Sequence, residues 1–205
     1  KNIGLVVNHT SINKNGEHFI KLAYNNNIKI SAIFAPEHGF AGIIEPGEKV
    51  SDGIDPLTGA PIYSLYGKST KPTINMLKDL EGIVVDLQDI GVRYYTYIST
   101  LTLVMEAAAE NGIPVWVLDR LNPLKMNISG PVLDTKFSSF VGMHPIPARH
   151  GMTIGEIALF VKNNNLIEHA NTLNLKIVKM TNWNRFDWSD PYWSKWVPPS
   201  PNIPN

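Results

Sequence analysis

The sequence predicts an α/β fold with a mainly parallel β-sheet and helices on both of its faces. Short apolar runs rich in β-branched residues alternate with amphipathic segments along the chain. Two of these runs, Ile83–Val85 and Val115–Leu118, are apolar at successive positions, which is typical of strands covered by helices on both faces. With 205 residues, 43% of them hydrophobic, the chain is long enough to bury a large core.

The predicted elements alternate between strand and helix. The expected strands are Ile3–Val7, Ile30–Ala35, Pro61–Leu65, Ile83–Leu87, Val115–Leu118 and Leu175–Met180. The expected helices are His18–Asn27, Thr73–Leu80, Ser99–Asn111 and Thr153–Asn164. Two helix ends carry specific signals, because Thr153 and Glu156 have the spacing of a capping box, and Gly112 and Pro114 follow the third helix.

Two stretches, Pro36–Gly67 and Leu121–Pro147, are predicted to be long loops, apart from the short strand in the first. Both follow predicted strands, at the edge where open α/β sheets bind ligands. We therefore expect functional residues in or beside these stretches.

The end of the chain has a different composition. Four of the five Trp and five of the fifteen Pro lie between Trp183 and Asn205. We expect one folded domain over residues 1–182, followed by a Trp- and Pro-rich segment over residues 183–205. This segment either packs against another part of the protein or, in the preferred interpretation, leads to a further C-terminal domain.

Charge and apolar patterning argue against two kinds of partner. Eighteen Lys and Arg residues balance eighteen Asp and Glu residues, so the basic excess typical of nucleic-acid binding is missing. No apolar run approaches the roughly 20 residues that cross a bilayer. We expect neither nucleic-acid binding nor a membrane span.

No cofactor or metal is predicted. The chain has no Cys, and its six His are not paired at the spacing of metal ligands. Gly67-Lys68-Ser69 matches the end of a phosphate-binding loop, but Ile62 stands where that loop requires Gly. Asn8-His9-Thr10, and not a Gly-rich dinucleotide motif, follows the first strand.

Glu37 and His38 come directly after the second strand, where Pro36 and Gly39 constrain the backbone. A carboxyl group beside aromatic residues in a cleft can retain a proton near neutral pH and give it to a leaving group. Glu37 is therefore the first candidate for a general acid. In the alternative interpretation, Glu37 caps the following turn and His38 is a hydrogen-bonded loop residue.

The segment from Asp86 to Tyr97 contains two Asp, one Gln, one Arg and three Tyr among twelve residues. Asp and Gln bind sugar or amide groups, Arg binds a carboxylate or phosphate, and Tyr offers a ring face and a hydroxyl. The alternative is an ion pair between Asp89 and Arg93 that fixes the loop while the tyrosines pack.

Two further polar clusters lie near the same edge. Asp119 and Arg120 follow the fifth predicted strand, and Arg149 and His150 precede the helix that begins at Thr153. The first pair could orient a ligand, and the helix N-terminus with Arg149 suits an anion. A structural ion pair and simple helix capping are the alternatives. Because all clusters converge on one edge, an enzyme cleft is favoured.

Six motifs in this order resemble one family of bacterial enzymes. They are Ala35–Phe40, Tyr63–Gly67, Gln88–Tyr97, Leu118–Arg120, Arg149–Thr153 and Pro198–Asn202. Together they are similar to the bacterial exo-β-N-acetylmuramidase family, formerly a domain of unknown function. Two positions depart from the family pattern: Ala41 stands where an Arg is usual, and Leu121 where a Pro is usual.

The resemblance implies a Rossmann-like three-layer domain and a glycosidase that removes N-acetylmuramic acid from the non-reducing end of peptidoglycan fragments, in cell-wall turnover and recycling. Its partners would be muropeptides or saccharides of N-acetylmuramic acid and N-acetylglucosamine, and a C-terminal domain of the same chain. Such a substrate places the protein in the periplasm or outside the cell. A carbohydrate-binding or peptidoglycan-binding domain without catalysis is the competing interpretation.

The resemblance also suggests site residues. The family's catalytic Glu falls on Glu37, and its tyrosine-rich motif falls on residues Arg93 to Tyr97. We predict catalytic roles for Glu37, Asp89 and Tyr95. The predicted substrate-binding residues are His38, Gln88, Arg93, Tyr97, Asp119, Arg120, Arg149 and His150.

Overall fold

The computed structural model describes residues 1–42, 52–185 and 196–203. The strands are β1 (Asn2–Val7), β2 (Lys29–Ala35), β3 (Gly53–Ile54), β4 (Pro61–Ser64), β5 (Gly82–Asp86), β6 (Val115–Leu118), β7 (Ser129–Val132), β8 (Pro147–Arg149) and β9 (Leu175–Val178). The helices are α1 (Phe19–Asn25), α2 (Ile74–Leu77), α3 (Tyr97–Glu110) and α4 (Ile154–Asn163), and a short 3₁₀ helix covers Thr135–Phe137.

Seven strands form the main sheet in the order β3-β4-β2-β1-β5-β6-β9. Each neighbouring pair is parallel except β3 and β4, which are antiparallel. Without the edge strand β3, this is the strand order of a Rossmann sheet, in which strands are added on one side of β1 up to β4 and on the other side from β5 onwards. The predicted α/β class with a mainly parallel sheet is confirmed, and ligands of such folds bind outside the carboxyl ends of the strands at this change of side, between β1 and β5.

Helices cover both faces of the sheet, as the alternation of side chains along the strands requires. On β1, Leu5 and Val7 pack with α1, whereas Val6 packs with α2, α3 and α4 on the other face. On β5, Ile83 and Val85 belong to the larger cluster, and Val84 packs against the smaller one. The apolar runs noted in the sequence are therefore strands with two buried faces.

Helix α3 is buried on nearly all sides. Leu101, Val104, Met105 and Ala108 are each fully buried in the larger core cluster. Burying one such Leu or Met side chain contributes about 1.5–3 kcal/mol, so this helix is a rigid element of the domain. Its N-terminus lies beside the loop that follows β5.

Two predictions about irregular regions are wrong in part. The stretch 36–67 contains β3 as well as the expected short strand, and the stretch 121–147 contains β7 and a 3₁₀ helix. β7 pairs with β8 in a separate antiparallel sheet, and all four of its residues are exposed. Its sequence, Ser-Gly-Pro-Val, lacks the apolar alternation by which a strand is recognised, and long-range contacts hold it in place.

The C-terminal segment returns to the domain over the residues that the structure describes. Pro199 and Ser200 are buried, and the His9 side chain hydrogen-bonds the carbonyl oxygen of Pro198 at 2.7 Å. Part of the segment therefore packs on the domain, and the preferred interpretation, a link to a further C-terminal domain, stays a prediction. Its Trp188 and Trp193 lie outside the described residues. Within the described ranges, no helix is long and apolar enough to cross a membrane.

Candidate active site

The loops after β1 and β5 meet at the carboxyl ends of these two neighbouring strands. The Ser11 hydroxyl donates to the carbonyl oxygen of Asp86 at 2.5 Å, and the Gln88 N–H donates to the Thr10 hydroxyl at 3.2 Å. Asn8, Thr10 and Ser11 are all buried. These hydrogen bonds satisfy the backbone of two buried loops, so the floor of the candidate site is fixed.

Glu37 lies at the carboxyl end of β2, on a tight turn. His38 and Gly39 both have left-handed backbone, with φ of 70° and 75°, and the Gly39 N–H donates to the Pro36 carbonyl at 3.1 Å. Glu37 is 8% exposed, and the Thr96 hydroxyl donates to its Oε2 at 2.6 Å. A non-Gly residue in this conformation marks a turn that the surrounding structure holds in place.

Three aromatic rings pack beside Glu37. The Tyr95 ring lies 6.5 Å from the His38 ring at an interplanar angle of 26°, and 4.6 Å from the Tyr97 ring at 61°. Burial raises the pKa of Tyr95, and the Tyr97 phenol and the carboxylates of Asp89 and Glu37 raise it further. Tyr95 is therefore a protonated phenol beside both predicted catalytic carboxyls.

Tyr66 also belongs to this site. Burial raises the pKa of its phenol, and a hydrogen bond with Glu37 raises it further. Tyr66 lies in the Tyr63–Gly67 motif noted in the sequence, but it was not among the predicted site residues. Tyr94 is 61% exposed, in contrast to the buried Tyr95 and Tyr97, so it presents an aromatic face to solvent near the same loop.

Asp89 and His150 form a buried pair. Asp89 Oδ2 accepts a hydrogen bond from the Gly91 N–H at 2.8 Å and lies 3.5 Å from His150 Nε2. His150 Nδ1 accepts from the Met152 N–H at 3.2 Å, so in the neutral ring the proton is on Nε2. Within the described part of the chain, neither His150 Nε2 nor Asp89 Oδ1 makes a hydrogen bond, although both atoms are buried. Among the described residues, Asp89 forms no ion pair with Arg93, the alternative raised from the sequence.

Gln88 and Arg93 hold loops together. The Gln88 side-chain amide donates to the carbonyl oxygens of Asp89 at 2.7 Å and Leu121 at 2.9 Å. Arg93 Nη1 donates to the carbonyl oxygens of Pro131 at 2.7 Å and Ile146 at 2.6 Å. These contacts attach the small β7–β8 sheet to the loop after β5.

Arg120 pairs with a neighbour that the sequence did not indicate. Its Nε and Nη2 donate to the two carboxylate oxygens of Asp86 at 2.5 and 3.0 Å, and Nη2 also reaches the Ile12 carbonyl at 3.1 Å. A two-point contact of this kind is geometrically demanding. Arg120 therefore links β5, β6 and the loop after β1.

Asp119 occupies the N-terminus of α4. Its Oδ1 accepts from the Gly155 N–H at 2.8 Å, and its Oδ2 accepts from the Thr153 hydroxyl at 3.0 Å. Burial raises the pKa of Asp119 in spite of these hydrogen bonds. Thr153 and Glu156 form the predicted capping box. The anion at this helix terminus is thus a side chain of the protein itself.

Tyr97 faces the interior. It is fully buried, and its hydroxyl accepts from Asn8 Nδ2 at 2.7 Å and donates to the Pro199 carbonyl oxygen at 2.8 Å. Burial also lowers the pKa of His9, which contacts the adjacent Pro198 carbonyl. Sequence reasoning missed Asn8, His9 and the role of Thr96, although Asn8 and His9 directly follow β1 and could have been found from that position.

Arg149 lies on β8 and forms an isolated bridge with Val92. Its Nε is buried and makes no hydrogen bond within the described part of the chain. No group of three or more His, Asp or Glu side chains is placed to hold a metal ion among the residues described. The described side chains at this edge supply carboxyl, hydroxyl, imidazole and guanidinium groups.

Comparison with known proteins gives consistent matches along the whole chain. Residues 3–205 match the family described as exo-beta-N-acetylmuramidase NamZ, N-terminal. Peptidoglycan beta-N-acetylmuramidase NamZ from Bacillus subtilis (strain 168) is 47% identical over 207 residues, covering 100% of this chain and 49% of that protein.

Two crystal structures of DUF1343 family proteins from Bacteroides fragilis NCTC 9343 share the fold. One has a TM-score of 0.88 and 40% identity, covering 100% of this chain and 51% of that chain. The other has a TM-score of 0.77 and 35% identity, covering 91% and 49%. The chain spans about half the length of the curated relative it matches. These similarities confirm the resemblance seen in the sequence: the chain belongs to the exo-beta-N-acetylmuramidase NamZ family, whose N-terminal part it matches.

Proposed function

We propose that this chain carries the catalytic groups of an exo-β-N-acetylmuramidase, which releases N-acetylmuramic acid from the non-reducing end of peptidoglycan fragments. The name and 47% identity of the Bacillus subtilis relative support this activity. The observation that carries the proposal is the pair of buried carboxyls, Glu37 and Asp89, in the loops at the carboxyl edge of the sheet, with the Tyr95 ring packed against His38 and Tyr97. Two carboxyl groups around one sugar-binding position are the usual catalytic set of glycosidases.

Each of the three groups has a chemical role in this proposal. Glu37 gives its proton to the glycosidic oxygen as the bond to the sugar breaks. Asp89, held by the Gly91 N–H, takes one proton from a water molecule, whose oxygen attacks the anomeric carbon and becomes the hydroxyl group of the product. The Tyr95 phenol remains protonated, so it can donate a hydrogen bond to the developing charge.

The same edge offers groups that suit N-acetylmuramic acid. The lactyl carboxylate requires a cation, and Arg149, whose Nε makes no hydrogen bond within the described residues, is the residue we assign to it. The exposed ring of Tyr94 can stack on a sugar face. Arg93, Arg120, Asp119 and Tyr97 support the site through the loops and helices they join.

Two wider proposals follow from this activity. The substrate is a cell-wall fragment, so we place the protein in the periplasm or outside the cell. Its relatives are about twice as long as the chain, so we propose that a C-terminal domain works with the domain described.

The test is release of free N-acetylmuramic acid by the full-length protein. The substrates are a chromogenic muramide and the disaccharide of N-acetylmuramic acid and N-acetylglucosamine, with the product identified by mass spectrometry. We expect Glu37→Gln to reduce kcat by about 10²–10⁴-fold, the range typical of a lost general acid. Glu168→Gln, the same change at an exposed position, serves as the matched control.

The competing function is a carbohydrate-binding domain without catalysis. Release of the sugar by the wild type and by Glu168→Gln, but not by Glu37→Gln, would exclude it. A folded full-length protein that binds the disaccharide and leaves it intact would establish the binding domain instead.

A further inference from the structure

The Thr96 hydroxyl does not make the hydrogen bond that is usual at its position in the helix. It stands at the N-terminus of α3, where a Thr side chain ordinarily accepts a hydrogen bond from a backbone N–H of the first turn. Thr153 does this for α4, with extended backbone (ψ 166°) and its Oγ1 bound to the Glu156 N–H. Thr96 has helical backbone (ψ −12°) and makes no such capping bond.

The Thr96 hydroxyl instead donates to Glu37 Oε2 at 2.6 Å. Thr96 is 4% exposed and Glu37 is 8% exposed, so water competes little for this contact. The two residues come from different loops, after β5 and after β2. A hydrogen bond of this length between two buried groups fixes the position of the Oε2 atom of Glu37.

The hydrogen bond connects the flexible Glu37 side chain to the rigid helix α3. A Glu side chain has three rotatable bonds, and its terminal torsion is broad. Helix α3 is buried in the core, so a bond from its first turn fixes the carboxyl plane relative to the sheet.

We propose that Thr96 is a positioning residue that fixes the carboxyl group of Glu37 for catalysis; this inference rests on the proposed glycosidase function. The hydroxyl that would cap α3 is used to orient the catalytic carboxyl. Thr96 does not touch the substrate in this proposal, so its loss affects the chemical step more than substrate binding.

The experiment compares three variants of the full-length protein in the muramidase assay. Thr96→Val keeps the shape and removes the hydroxyl, whereas Thr96→Ser keeps the hydroxyl. Thr100→Val is the matched control, because Thr100 lies one turn further along α3, is fully buried, and has a hydroxyl without a hydrogen-bond partner among the described residues.

We expect Thr96→Val to lower kcat by about 10- to 100-fold with little change in KM, as for a catalytic group displaced by a fraction of an ångström. Thr96→Ser and Thr100→Val should stay within about threefold of the wild type. A Thr96→Val variant with wild-type kcat, or an equal loss in Thr96→Ser, would overturn the proposal.

A readout that needs no turnover separates this proposal from the muramidase activity. The ¹³C chemical shift of the Glu37 carboxyl, assigned by its disappearance in Glu37→Gln, should move in Thr96→Val and stay in place in Thr96→Ser and Thr100→Val. If the wild type released no sugar, the proposed function would fail, and this shift would still decide whether Thr96 orients Glu37. An unchanged shift in Thr96→Val would contradict the positioning role.

Discussion

Removing one oxygen atom from Tyr97 should destabilise the protein strongly. In Tyr97→Phe, the ring keeps its packing, but the buried Asn8 Nδ2 loses its acceptor at 2.7 Å and the Pro199 carbonyl loses its donor at 2.8 Å. Each buried polar group without a partner costs about 1–3 kcal/mol. Asn8 keeps the hydrogen bonds of its Oδ1 to Thr10, so its amide cannot easily turn to another acceptor.

The expected total for Tyr97→Phe is about 2–4 kcal/mol, below the simple sum because the C-terminal segment can relax towards water. For a protein of this size, the loss corresponds to a fall in Tm of about 4–16 °C. Chemical denaturation measures the free energy of unfolding, and calorimetry measures Tm. Tyr24→Phe, at a residue that is 50% exposed, is the control and should change stability by less than about 0.5 kcal/mol.

A Tyr97→Phe protein as stable as the wild type would refute this reasoning. It would mean that the hydroxyl contributes no net stability and that the carbonyl of Pro199 finds water in the folded state. A loss as large as in Tyr97→Ala, by contrast, would mean that the ring itself had shifted. Limited proteolysis between residues 196 and 203 would show whether the segment detaches in Tyr97→Phe.

Two further predictions concern stability. Burial lowers the pKa of His144 from 6.5 to about 4. As the pH drops through this range, His144 takes up a proton in the unfolded chain before it does so in the folded protein, so the free energy of unfolding should fall by about 3 kcal/mol. Denaturation at a series of pH values should show a flatter slope in His144→Gln, and an unchanged slope would contradict the assignment. Thr153→Ala should lower the free energy of unfolding by about 1–2 kcal/mol, because the cap of α4 is lost. Thr153→Ser keeps the hydroxyl and should retain most of the wild-type stability, whereas equal losses in the two variants would argue against a capping role for the hydroxyl.

The positions of β1, β2, β5 and β6 could be predicted from the sequence, because a strand with two buried faces is apolar at consecutive positions. The order of the strands in the sheet could not be predicted in this way, because it depends on contacts between distant segments. Strands β3 and β7 could not be predicted from the apolar pattern, since their residues are exposed. The apolar pattern along the sequence therefore predicts the buried strands, but it does not predict strands that form only by pairing with distant segments.

The sequence predicted which loops form the candidate site, but not which side chains contact one another within it. Arg120 could be expected to pair with its neighbour Asp119, yet it pairs with Asp86 on the adjacent strand, a contact that depends on the register of β5 and β6. Tyr97 was predicted to bind substrate because the family's tyrosine-rich motif falls on residues Arg93 to Tyr97. The structure places its phenol in the core, at the first residue of α3, which begins two residues before the predicted Ser99.

Thr96 and Tyr97 show how one helix terminus organises the site. Neighbouring residues on a helix point in different directions, so Thr96 reaches the Glu37 carboxyl while Tyr97 reaches Asn8 and Pro199. The arrangement has a cost, because His38 takes a left-handed conformation, worth about 1 kcal/mol, and α3 lacks the usual Thr cap. The buried face of α3 offsets these costs, since burial of a single large apolar side chain contributes more than either. Local strain therefore persists at this edge because the core beneath it is rigid and well packed.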